Sequence, residues 1–168
     1  AEEIRHAGFY GEVGNVTNLP STSAIPLPPS PPDPCLTDLA NVKAALPLPI
    51  QGYDFPDQPS STNCVPDQLS DTDALVIRRV STTVATGAPV AGGFYTQTSN
   101  CATAVPMFII AQSGFTLTDK NCTTVMPVRQ YHVYIYYIST CSIGTGAGGA
   151  CQSTDPQIPT LKRAELVP

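Results

Sequence analysis

The chain has 168 residues, enough for one domain with a core of its own. Only 12% of them are charged and the net charge is -5, which argues against a basic phosphate-binding face and so against the nucleic-acid-binding classes. The 18 prolines, about twice the ordinary share of roughly 5%, together with plentiful Ser and Thr, describe a chain rich in loops and turns and poor in helix.

Ala1 to Gly11, AEEIRHAGFYG, is expected to be helical. Ile4, Ala7 and Gly8 repeat at i, i+3 and i+4. Glu2 and Glu3 stand near its start and Arg5 and His6 nearer its end, the arrangement that the helix dipole favours, and Gly11 can close it in the left-handed conformation. With no capping residue before it, the segment reads as the last turns of a longer helix. From Asn15 to Pro34 the prolines preclude a regular helix or a central strand. An extended surface loop suits this stretch better than an SH3-type ligand, because a free ligand tail seldom sits inside a disulfide-bearing domain. Cys35 to Ala45, CLTDLANVKAA, is expected to be a short helix ended by Pro47, and Ile50 to Pro66 is expected to be turn-rich, with Tyr53 and Phe55 tucked inward.

Beyond Ser70 the texture changes to strands. DALVIRRVSTTV at 73–84 holds a continuous apolar run and is expected to be a buried strand with its arginines emerging at one end. GGFYTQTSN at 92–100, AVPMFIIAQ at 104–112 and the alternating GFTLTD at 114–119 are expected to be three more. Arg129 to Cys141, RQYHVYIYYISTC, carries four of the seven tyrosines and is apolar or aromatic at both even and odd positions, as in a strand covered on both faces. A shorter strand at 158–167, IPTLKRAELV, closes the chain. Strands that follow one another without intervening helices pair antiparallel by default, so the expectation is a single α+β domain over 1–168: a helix end at 1–11, proline-rich loops with a short helix at 12–69, and a β-rich part at 70–168.

The six cysteines at 35, 64, 101, 122, 141 and 151 form no C-x-x-C, and the chain has two histidines, so a zinc site lacks its usual spacing. Disulfides and an exported protein fit better. Six cysteines allow 15 connectivities. We expect sequential pairing: Cys35–Cys64, Cys101–Cys122 and Cys141–Cys151. No apolar run approaches the roughly 20 residues that cross a bilayer, and no signal peptide is visible, so a product cut from a longer precursor is expected.

No catalytic constellation emerges from the order of residues. A hydrolase triad would need His6 or His132 as its base, and His132 reads as a packed strand residue; no G-x-S-x-G occurs. Gly144, Gly146 and Gly149 match the dinucleotide spacing, but no helix follows, and a disulfide-closed loop fits better. Asp67, Asp71 and Asp73 lack the glycine and terminal glutamate of a calcium loop and read as a solvated turn. Asn15 and Asn121 begin glycosylation sequons, which matter only in a eukaryotic source.

Three segments in fixed order, ALVIRR at 74–79, YHVYIYYIS at 131–139 and PTLKRAEL at 159–166, together with EEIRHAGFYG at the start, resemble PilW-type minor pilins of type IV pili. The resemblance spans most of the chain but leaves 17–66 without a family signal. It implies a pilin-like α+β head whose N-terminal helix end packs on antiparallel sheets, with the apolar, membrane-spanning part of that helix upstream of Ala1. It implies a non-enzymatic subunit without cofactors, which primes pilus assembly and sits at the pilus tip with other minor pilins, the major pilin and a large tip adhesin. Before assembly such a head is periplasmic and anchored in the inner membrane; afterwards it is extracellular. The rival readings are a J-type pseudopilin of a type II secretion pseudopilus tip, and a surface adhesin or carbohydrate-binding module stacking sugars on Tyr53, Tyr95 or the tyrosine strand.

Overall fold

A computed structural model describes residues 2–20, 23–54, 64, 65 and 67–166. It is a small α+β domain built on one antiparallel sheet. In chain order the elements are α1 (Glu2–Arg5), a 3-10 turn (Val16–Asn18), α2 (Leu39–Ala45), β1 (Ile50–Tyr53), β2 (Ala74–Val80), β3 (Tyr95–Thr98), β4 (Phe108–Ala111), β5 (Arg129–Ser139), a second 3-10 turn (Ala147–Gly149) and β6 (Thr160–Glu165). The strand order is β1-β2-β5-β3-β4, and β6 also pairs with β5.

The 11-residue β5 organises the sheet. One of its edges pairs with β2 from Tyr131 to Tyr136. The other is divided: Arg129 and Gln130 pair with β3, and Tyr134 to Ser139 pair with β6. One long strand thereby serves two short wings. Its inner residues Tyr131, Val133, Ile135 and Tyr137 are all buried, against Val76 and Val80 of β2 and against Tyr10, Val42 and Leu46. Its outer residues are half-buried at His132, Tyr136 and Ile138 and buried at Tyr134, so the two faces are covered unequally.

Several expectations need correction. The terminal helix is four residues long rather than eleven. Gly8, not Gly11, breaks it: Gly8 has φ 75° and donates its N–H to Arg78 O, while Val80 N–H donates to Phe9 O. Pairing with the end of β2 thus takes the Gly8 N–H and the Phe9 carbonyl that a longer helix would need. The second helix starts at Leu39, where Asp38 caps it by accepting from Asn41 N–H, and Cys35 stays outside. Ile50–Tyr53 is a strand, because β2 supplies it with a partner that local propensity does not reveal. The segment 114–119 alternates as a strand would but forms only one isolated bridge, Thr118 with Val125. The Gln97 side chain takes the Leu117 N–H that a neighbouring strand would have used. Arg78 does not emerge from the sheet; it is 1% exposed and donates to Leu48 O. Tyr53 is half-buried and donates its hydroxyl to Pro32 O, whereas Phe55 lies outside the described residues.

The disulfides are Cys35–Cys64, Cys101–Cys122 and Cys141–Cys151, the sequential set. The last closes the loop between β5 and β6. Inside that loop buried Asp155 accepts from Thr145 N–H, Thr145 Oγ1 and Gln152 N–H. These bonds, led by the Thr145 hydroxyl, hold its carboxyl below the usual range.

Candidate functional site

Alternation along the strands puts the outer face of the sheet under α1 and splits it into two halves. Cross-strand pairs Leu75–Tyr136, Ile77–Tyr134 and Arg79–His132 join β2 to β5, and Ile138–Leu161 and Tyr136–Arg163 join β5 to β6. The first half is apolar. Leu75, Ile77, Tyr136, Ile138 and Leu161 floor a groove of about 510 Å³, with Ile4 of α1 on one wall and Asp54 and Asp73 among the residues at its margin. Ile4 is 53% exposed and Leu161 65%, so apolar surface stands open here.

The other half is polar and closely connected. Glu3 of α1 pairs with Arg79 at 2.5 Å and lies 3.9 Å from Arg163. Both guanidinium groups stack over the Tyr134 ring, at 5.4 and 4.7 Å from its centroid. The Arg79 hydrogen bond holds the Glu3 carboxyl below its ordinary range, against the opposing effect of burial. Burial, the largest single effect, pulls the Arg79 guanidinium down, but the Glu3 hydrogen bond and the charges of Glu3, Tyr134 and Glu2 together outweigh it and the net direction is up. His132 stacks flat on Tyr134, with centroids 5.6 Å apart and planes 7° apart. Its Nε2 lies 2.8 Å from Ser81 Oγ and its Nδ1 lies 2.8 Å from Glu165 Oε1. Burial raises the Tyr134 hydroxyl pKa.

His132 is therefore more than a packed strand residue: it is the centre of a hydrogen-bonded chain. Sequence reasoning missed Ser81 and Glu165, which lie 51 and 33 residues from it. The available signal was parity, since Ser81 follows Arg79 by two and Glu165 follows Arg163 by two, which puts each on the outer face. The other candidates do not converge. His6 sits at the end of α1, its backbone N–H bonded to Glu2 and Glu3 carbonyls. Asp67 accepts from Cys151 N–H, and among the described residues no three His, Cys, Asp or Glu side chains group to hold a metal. Asn15 caps the first 3-10 turn, and Asn121 accepts from Thr123 and Thr124 N–H in a local turn. The glycine loop folds on itself: a Cβ on Gly144 would lie 2.0 Å from Gly149 O. Tyr95 is buried and accepts from Val90 N–H, so its ring is no open stacking platform. Among the described residues no helix is long and apolar enough to cross a membrane.

No protein-family model, no curated protein and no solved structure matches this chain.

Proposed function

We propose that the chain is the globular head of a PilW-type minor pilin, a subunit that primes type IV pilus assembly and stands at the pilus tip with other minor pilins and a tip adhesin. One observation carries this reading. The three segments behind the resemblance, ALVIRR, YHVYIYYIS and PTLKRAEL, are far apart in sequence, yet they form β2, β5 and β6, three consecutive strands of one sheet. The other segment, EEIRHAGFYG, supplies α1 and the residues that pair with the end of β2. The apolar groove beside α1 supports the same reading, because a helix extended beyond α1 would have an apolar sheet face to lie on. In this role the head works through its surfaces, needs no cofactor, and is anchored in the inner membrane through the upstream helix until assembly carries it outside.

The precursor's N-terminus is the direct test. A short basic leader followed by about 20 apolar residues running into Ala1 is expected; a conventional signal peptide with a small-residue cleavage site would overturn the assignment. Mixing the purified head with other minor pilins should give co-elution. Co-elution with secretion pseudopilins instead would assign it to the J-type position of a pseudopilus.

A further inference from the structure

The polar half of the outer face holds three side chains in the order of an acyl-transfer relay. Glu165 Oε1 and His132 Nδ1 are 2.8 Å apart, and His132 Nε2 and Ser81 Oγ are 2.8 Å apart. With a proton on Nδ1 held by the carboxylate, the Nε2 lone pair is left to accept the serine proton. Tyr134 fixes the ring plane by stacking, so the imidazole is oriented by three contacts on two strands and the end of β2. Ser81 also borders a cleft of about 250 Å³, whose walls include Thr83, Val84, Thr86, Val90, Tyr95 and Gln130. A cleft of that volume, lined by hydroxyl and amide groups as well as Val84 and Val90, admits a short, uncharged acyl group. The turn after Ser81 is clasped by Arg129, whose guanidinium donates to the carbonyls of Ser81 and Thr82. Among the described residues the N–H groups of Thr82, Thr83 and Val84 have no backbone acceptor, which leaves donors near the serine for a developing oxyanion.

We propose that Ser81 is a nucleophile activated by His132 and Glu165, accepting acyl groups from small esters that enter this cleft. Ser81 Oγ bonds to the ester carbonyl carbon while its proton passes to His132 Nε2. The tetrahedral adduct collapses, the bond to the alcohol oxygen breaks, and the alcohol leaves with the proton from Nε2. Water then attacks the acyl-serine by the same relay, releasing the carboxylic acid and restoring Ser81. This reactivity is independent of the assembly role.

A fluorophosphonate probe tests it, since attack by an activated serine expels fluoride and leaves a covalent adduct. Digestion and mass spectrometry should place one adduct on Ser81 and none on Ser81→Ala. His132→Gln should slow labelling by about 100-fold or more, and Glu165→Gln by at least about tenfold. His132→Ala should regain labelling when free imidazole is added, a rescue that a purely structural histidine would not give. p-Nitrophenyl butyrate hydrolysis should follow the same order. No adduct on wild-type Ser81 overturns the proposal outright. So does equal labelling of wild type and Glu165→Gln when both show the same thermal melt.

Discussion

Arg78 is a full positive charge on the inner face of β2, with Nη1 bonded to Leu48 O and Nη2 lacking a partner among the described residues. Among the described residues the Tyr131 hydroxyl is likewise buried without a partner, and both residues border a void of about 10 Å³, room for about one water. Burying a charge without a bonded counter-ion costs stability unless the group's stem and hydrogen bonds offset it. Arg78→Ala should therefore lower the unfolding free energy by about 2–4 kcal/mol, because it opens a cavity and orphans Leu48 O. Arg78→Met, which keeps the stem, should cost less; urea melts of both variants check the order. Glu3 makes a second prediction at this scale. Its folded pKa is depressed, chiefly by the Arg79 hydrogen bond, so its contribution is present above the ordinary carboxylate range and is lost as pH falls through the folded value. Thermal melts should drop from about pH 5 downward, and Glu3→Gln should flatten part of that drop.

The strands differ in what their sequences reveal. β5 is legible because eleven residues rich in Tyr, Val and Ile leave no other regular structure open to them. Ile135, fully buried at its centre, should cost about 2–5 kcal/mol when changed to Ala, read from denaturant midpoints. β1 is not legible, since four residues including Gly52 become a strand only because β2 offers its edge. The 114–119 segment shows the reverse: its alternation is real, but Gln97 takes a backbone donor and no strand forms beside it. The loop closed by Cys141–Cys151 is a third case, spanning 10 residues of sequence separation. Replacing both cysteines with serine should lower stability by about 3 kcal/mol on the loop-entropy account and loosen β6, which hydrogen exchange at Lys162 and Ala164, whose N–H groups face β5, would register.

For the molecule as a whole, the outer sheet face decides what the fold can do. It is apolar toward Leu161 and polar toward Ser81, with α1 seated above it through Glu3 and Ile4. Leu161 projects from a strand that, among the described residues, pairs only with β5, and its side chain is mostly exposed. Leu161→Glu should leave the thermal melt nearly unchanged, because little buried surface is lost. If a second subunit, rather than an upstream helix of the chain itself, covers the groove, this substitution should abolish co-elution with the minor pilins proposed as partners, and size-exclusion chromatography of mixed subunits reads the outcome.

The sequence by itself determined the class of the molecule: an antiparallel, loop-rich α+β domain, its longest strand, its last strand, and cysteines suited to disulfides. Those features follow from composition and short-range periodicity, which act within a few residues. Only the tertiary structure decided that α1 is one turn long, that Arg78 is buried, and that Ser81, His132 and Glu165 meet. These depend on which strands become neighbours and in what register, and register is set by the whole buried face together.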